Sequence, residues 1–231
     1  MEKSVWTKGL AYYEVRAFAE QEGIPVEAVY NMEITHKTDL IQKMPENARL
    51  YFERGDAYFY IKNYEAAIDD FLKAIELNPK DPRYFHYVGD CFAYTNQYPK
   101  AVEYYSKALE FTDYKQLVSV YKQKAEVHFH MGEFENALKD INEAIKIVPS
   151  GISDLYKLRA VIYKGLGDEE NGEKDFETWH VQKVQSLMAS FQKMSQRQKQ
   201  DILFNLFSNM TDEQQNEFIA EGIFNYSDDI L

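Results

Sequence analysis

Apolar residues along most of this chain recur at intervals of three and four, the spacing of one face of an α-helix. One run has Tyr51, Arg54, Gly55 and Tyr58, followed by Ala67, Phe71, Ala74 and Pro79. The same positions return as Phe85, Val88, Gly89 and Phe92, then Ala101, Tyr105, Ala108 and Asp113. They return again as Tyr121, Lys124, Ala125 and His128, then Ala137, Ile141, Ala144 and Pro149. A worn fourth copy reads Tyr156, Arg159, Ala160 and Tyr163, then Gly172, Phe176 and Trp179. The leading aromatics lie 34, 36 and 35 residues apart (51 to 85, 85 to 121, 121 to 156). Each copy predicts two antiparallel helices, with turns at Asn63-Tyr64, Gln97-Tyr98, Gly132-Glu133-Phe134 and Gly167-Asp168. Small residues (Gly55, Gly89, Ala125 and Ala160 facing Ala67, Ala101, Ala137 and Gly172) are expected to let the two helices approach closely. Pro79, Pro82 and Pro149 are placed between copies, and Pro99 at the first turn of a second helix.

This pattern resembles the tetratricopeptide repeat, a helix-turn-helix unit of about 34 residues that stacks on its neighbours. The resemblance implies an all-α fold, a right-handed α-solenoid of helix pairs over residues 48–182. Four copies are expected, at 48–81, 82–117, 118–152 and 153–182. The last is degenerate, because Glu169 replaces an aromatic after the turn and Trp179 replaces a small residue. Residues 1–47 would form an N-terminal helical segment, and residues 183–231 C-terminal capping helices.

At the N-terminal end, Val5, Trp6, Leu10, Tyr13 and Phe18 predict one helix, Gly23 its stop and Pro25 the start of another. A degenerate first repeat is one reading. The other uses Phe18-Ala19, Gly23-Ile24, Val29 and Met32, which resemble the tight turn of a bacterial helix-turn-helix DNA reader. Charge opposes it, since residues 1–47 carry 5 basic and 8 acidic residues. At the other end, Ser195 with Gln198 and Thr211 with Gln214 predict two capping boxes, each opening a short amphipathic helix. Phe204 and Phe207 add aromatic surface there, so a self-assembling hairpin is the alternative to a simple cap.

Composition narrows the function. The chain of 231 residues has 26 basic and 38 acidic side chains, a net charge of −12. That is the wrong sign for a protein that lives on phosphate backbones, so no nucleic acid is expected. A single cysteine, Cys91, excludes an internal disulfide and a Cys-built zinc site. No apolar signal segment or 18-residue apolar run is seen, which predicts a cytoplasmic protein without a membrane anchor. No catalytic constellation emerges, and no metal, cofactor or enzyme activity is expected. His128 and His130 point different ways on a helix, and His128 occupies a core position of the repeat. Gly165-Leu166-Gly167 reads as a turn, and the Asp69-Asp70 and Glu169-Glu170 pairs as solvated helix faces.

In the resembled family, peptides lie along the first helices of stacked repeats. The position after the small residue holds Asp56, Asp90, Glu126 and then Val161. One turn on come Phe59, Ala93, Phe129 and Lys164, with Tyr60, Tyr94 and His130 beside them. The resemblance therefore implies a groove with acidic and aromatic rows, built from Asp56, Phe59, Tyr60, Asp90, Tyr94, Glu126, Phe129 and His130. The Lys, Arg and Asn that hold chaperone-tail carboxylates are missing, with Phe52, Asp56, Tyr87, Ser119 and Gln123 at those places. The expected function is a non-enzymatic scaffold, adaptor or chaperone-like protein that binds a basic and apolar peptide segment. A self-assembling repeat protein, a homo-oligomer through the terminal helices, is the alternative. A peptide-sensing DNA regulator comes third.

Overall fold

The structure, a computed structural model, describes residues 12–111, 113, 116–148, 153–199, 201, 202 and 211. Val5, Trp6, Leu10, Pro149, Phe204, Phe207 and the Thr211–Gln214 box therefore fall wholly or partly outside the described residues. Among these residues the secondary structure is helical throughout. The helices are α1 (Tyr12–Glu22), α2 (Val26–Lys43), α3 (Ala48–Tyr60), α4 (Tyr64–Leu77), α5 (Pro82–Tyr94), α6 (Tyr98–Ala108), α7 (Leu117–His130), α8 (Phe134–Ile147), α9 (Ser153–Gly165) and α10 (Glu169–Lys193). The chain divides into two compact units, Met1–Trp179 and His180–Leu231.

In the first unit the helices from α1 to α9 pack on their neighbours in sequence, and α5 also touches α7 as α7 touches α9. The helices begin where short polar side chains satisfy free amides. Asn47 accepts from Arg49 N, Asn63 from Ala66 N and Asp81 from Arg83 N. Pro82, expected between copies, instead opens α5, where a missing amide costs nothing. Pro99 opens α6 in the same way. Gly23 (φ 65°) ends α1 in the left-handed region, and Pro25 precedes α2. The turns between paired helices also need one left-handed residue, here Lys62, Asn96, Gly132 and Gly167. Those four recur with the repeat, and only the last two are glycine.

Close approach within each pair explains the small residues. A Cβ on Gly55 would lie 2.7 Å from the Phe71 ring, and one on Gly89 would lie 2.6 Å from the Tyr105 ring. Ala125 instead pairs with the slimmer Ile141, and both are fully buried. Buried ion pairs then link the helices of a pair at a fixed interval of sixteen residues. Arg54 donates to both oxygens of Asp70 at 2.8 and 2.7 Å, and Arg159 to both of Asp175 at 2.6 and 2.8 Å. Lys124 reaches Asp140 at 3.4 Å. The second repeat has Val88 and Tyr104 at these positions and makes no such bridge. Asp70 is thus buried, not part of a solvated face as its sequence neighbourhood suggested. Burial favours its neutral form, and the bonds from Arg54 favour the carboxylate.

The N-terminal helices are tied on in similar fashion. Val15, Ala19, Val29, Tyr30 and Ala57 form one core, so α1 and α2 cover the open edge of α3. Buried Lys37 of α2 bonds Glu53 of α3, which also accepts from Arg49 at 2.6 Å. At the far end, α10 runs unbroken to Lys193, so position 182, expected to close the fourth copy, lies within a helix. Between Gly172 and Lys193 no proline or glycine interrupts it. In the second unit Ser195 and Gln198 form the expected capping box, Gln198 N donating to Ser195 Oγ at 3.3 Å and Ser195 N to Gln198 Oε1 at 3.0 Å.

Gly89→Ala should force the Tyr105 ring out of its notch. We expect a loss of about 2 kcal/mol, read by thermal denaturation as a drop of roughly 4–8 °C.

Candidate functional site

The first helices α3, α5 and α7 bring the predicted groove residues onto one face, but in unequal states. Asp90 is only 8 % exposed. It accepts a hydrogen bond from the Tyr105 hydroxyl at 2.7 Å and lies 3.7 Å from His86 Nε2. Burial raises the affinity of this carboxyl for a proton, and His86 and Tyr105 pull it back. Asp56 is half-buried, and its Oδ1 is fully enclosed without a hydrogen-bond partner. Desolvation, with the charge of Glu53 second, pushes its pKa up to about 7. Glu126 alone stays open to solvent, 3.4 Å from an equally open Lys122. The three acidic positions thus differ in depth.

The repeat itself explains the difference between Asp56 and Asp90. Phe71 and Tyr105 occupy the same notch, over Gly55 and Gly89 respectively. Tyr105 carries a hydroxyl that reaches the carboxylate one residue after its glycine. Phe71 has none to offer Asp56.

The aromatic row forms a contact network. Phe59 lies at its centre, with ring centroids 6.0 Å from Tyr60, 5.6 Å from Tyr64, 6.0 Å from Tyr87 and 5.5 Å from Tyr94. Tyr30 stacks on Tyr60 at 5.0 Å and Tyr64 on Tyr94 at 5.4 Å. Tyr98 stacks on His130 at 5.8 Å, while Phe129 packs on Phe134 at 5.4 Å. So Phe59 and Phe129 are supports, and Tyr60, Tyr94 and His130 are the rings open to solvent. Tyr94 is 63 % exposed, against 38 % for Tyr60. Sequence reasoning missed Tyr64 and Tyr98, the first residues of α4 and α6, each of which braces a ring of the next repeat. Their aromatic identity immediately after the turn was the available signal.

Other candidate residues have structural roles. Cys91 is fully buried, and burial raises its thiol pKa strongly, which disfavours the reactive thiolate. His128 is buried and bonds Glu133 at 2.8 Å. Among the described residues no group of three or more His, Cys, Asp or Glu is placed to hold a metal ion. Nor is any described helix long and apolar enough to cross a membrane.

Helix pairs stacked in chain order, with a ring seated over a small residue, define an α-solenoid repeat protein. Residues 48–81 and 118–150 match family models described as tetratricopeptide repeat, and the chain is a tetratricopeptide-repeat protein. No curated protein matches the sequence. Among solved structures, one of MamA is similar with a TM-score of 0.66 and 18 % identity, covering 74 % of this chain and 95 % of that one. MamA from Desulfovibrio magneticus RS-1, residues 41 to the end, gives 0.63 and 11 %, with 75 % and 94 % covered. PilW, a widely conserved type IV pilus biogenesis factor, gives 0.59 and 18 %, with 67 % and 70 % covered. At such identities the likeness concerns the fold. Tetratricopeptide repeats of this architecture support a protein-interaction scaffold and imply protein partners.

The unpartnered carboxyl of Asp56 has a signed consequence. Its folded pKa, about 7, is above the unfolded value near 3.8, so the folded state holds the proton more tightly. Stability from this group is full at acid pH, falls as pH rises from about 4 to about 7, and is lost above. Asp56→Asn should therefore match wild type near pH 4 and exceed it by about 1–3 kcal/mol at pH 8 in chemical denaturation. Phe71→Tyr, which supplies the hydroxyl found in the next repeat, should recover part of the same gain.

Proposed function

We propose that the chain is an adaptor-type scaffold, chaperone-like in holding its client, that binds a basic and apolar peptide segment across α3, α5 and α7. The carrying observation is Tyr94, a ring 63 % exposed at the middle of an aromatic row that is flanked by carboxylates. A large exposed ring held by neighbours loses little entropy on binding and is a natural anchor. Tyr60 and His130 extend the row on either side. Glu126 is the charged contact at the rim, where one ion pair contributes only about 0.2–1 kcal/mol. Asp56 and Asp90 act from deeper positions, favouring cations over anions along the face. Aromatic burial then supplies affinity, and charge supplies orientation and on-rate. The chain's charge of −12 repels acidic segments for the same reason.

An array of nine-residue peptides, basic-apolar and acidic-apolar in equal number, tests this directly. Basic members should bind, Tyr94→Ala should weaken them about tenfold, and Glu126→Lys should weaken them less. Binding should also fall between ~50 mM and ~500 mM salt, as the Debye length shortens. Equal capture of acidic members, or indifference to Tyr94→Ala, would overturn the groove.

Self-assembly is favoured by a different feature. In the second unit Val181, Val184, Leu187 and Met188 of α10 are each more than half exposed. Their spacing puts Val181, Val184 and Met188 on one helical face. If this face joins copies, light scattering will show mass rising with concentration, and Val184→Lys with Met188→Lys will return a monomer of 27.2 kDa.

A further inference from the structure

Between α5, α6 and α7 the groove face opens into a cavity of about 240 Å³. It lies where the repeat breaks its own pattern. The position that holds Phe59 in the first repeat and Phe129 in the third holds Ala93 in the second. Phe59 and Phe129 fill their sites with rings, and Ala93 leaves the space open. Ala93 lines the cavity, as do Asp90, Tyr94, Tyr98, Glu126 and His130.

The lining has one sign of charge. Asp90 is more than nine-tenths buried, and Glu126 stands at the solvent side. No lysine or arginine lines the cavity. The Asp90 carboxylate is held in place by the Tyr105 hydroxyl at 2.7 Å, so it is positioned before any ligand arrives. Rings complete the wall, with His130 stacked on Tyr98 and Tyr94 next to them. A positioned carboxylate beneath aromatic rings is the chemistry that attracts an alkylammonium or guanidinium group. The volume is below the roughly 300–1,000 Å³ of small-molecule and cofactor sites, and suits a single side chain.

We propose that this cavity is a socket for one cationic side chain, a lysine or arginine, of a peptide segment lying across α5 and α7. The assignment rests on the groove reading above and gives it a register, because the second repeat offers an opening where the first and third hold Phe59 and Phe129. The aliphatic stem would pass Ala93 and the rings, with the charge set between Asp90 and Glu126.

The test uses the full chain and the tightest basic peptide from the array. Each lysine or arginine of that peptide is replaced in turn by norleucine, which keeps the stem and removes the charge. One replacement should cost about tenfold in affinity and the others much less. Ala93→Phe, which copies the neighbouring repeats and should preserve helicity, should cost the wild-type peptide a similar factor. It should also erase the difference between that peptide and its critical norleucine analogue. Asp90→Asn keeps an acceptor for Tyr105, removes the charge, and should weaken the same peptide. If Ala93→Phe is folded by circular dichroism and binds unchanged, the socket is wrong while the groove stands. If no basic peptide binds wild type, both readings fall. Cadaverine binding as tightly as the peptide would overturn the peptide assignment in favour of a free amine.

Discussion

The closeness of the two helices in each repeat is the constraint on which the other features hang. Two backbones can approach only where a side chain is missing, and the space over Gly55 or Gly89 is taken by a single ring. That ring then sets the depth of everything beside it. In the second repeat its hydroxyl meets Asp90, and in the first the bare ring leaves one oxygen of Asp56 enclosed without a partner. A difference of one atom between Phe71 and Tyr105 separates a satisfied carboxylate from a strained one. Interiors packed at crystal-like density transmit such differences, because neighbours cannot flow to compensate.

Electrostatics in this protein divides between pairs that organise the helices and charges that remain for partners. Arg54–Asp70, Lys124–Asp140 and Arg159–Asp175 cross-link helices at a constant interval, and Lys37–Glu53 does the same for α2 and α3. Buried pairs of this kind add little net stability, since desolvation offsets attraction, but a wrong register would strand their charges. The second repeat does without the pair by using Val88 and Tyr104. It is also the repeat that opens the cavity, so the helix pair without the cross-link carries the most distinctive feature of this face.

The aromatic row follows a similar division. Rings at the ends of α3, α5 and α7 would be loose if left to themselves. Tyr64 and Tyr98, placed at the starts of α4 and α6, stack on Tyr94 and His130 of the next repeat. Each turn thus braces the following repeat, which couples stacking to the presentation of exposed rings.

The all-helical architecture and the two helices of each repeat were legible in the chain, because a period near 34 with small and aromatic residues in phase admits few other packings. Local rules were enough for the turn at Asn63-Tyr64, Pro99 at a helix start and Gly23 at a helix end, since those depend on backbone geometry within a turn. Depth was not legible. Asp56, Asp90 and Glu126 share one repeat position, yet one is half-buried with an oxygen left unpartnered, one is bonded at the floor of a cavity and one faces water. Their surroundings come from α4, α6 and α7, far along the chain, and a carboxylate's environment is set by what packs over it. The same reason hid Asp70 and Asp175, whose cationic partners stand sixteen residues away on another helix. Periodicity determined which residues share a face, and tertiary packing alone decided which of them solvent, or a partner, can reach.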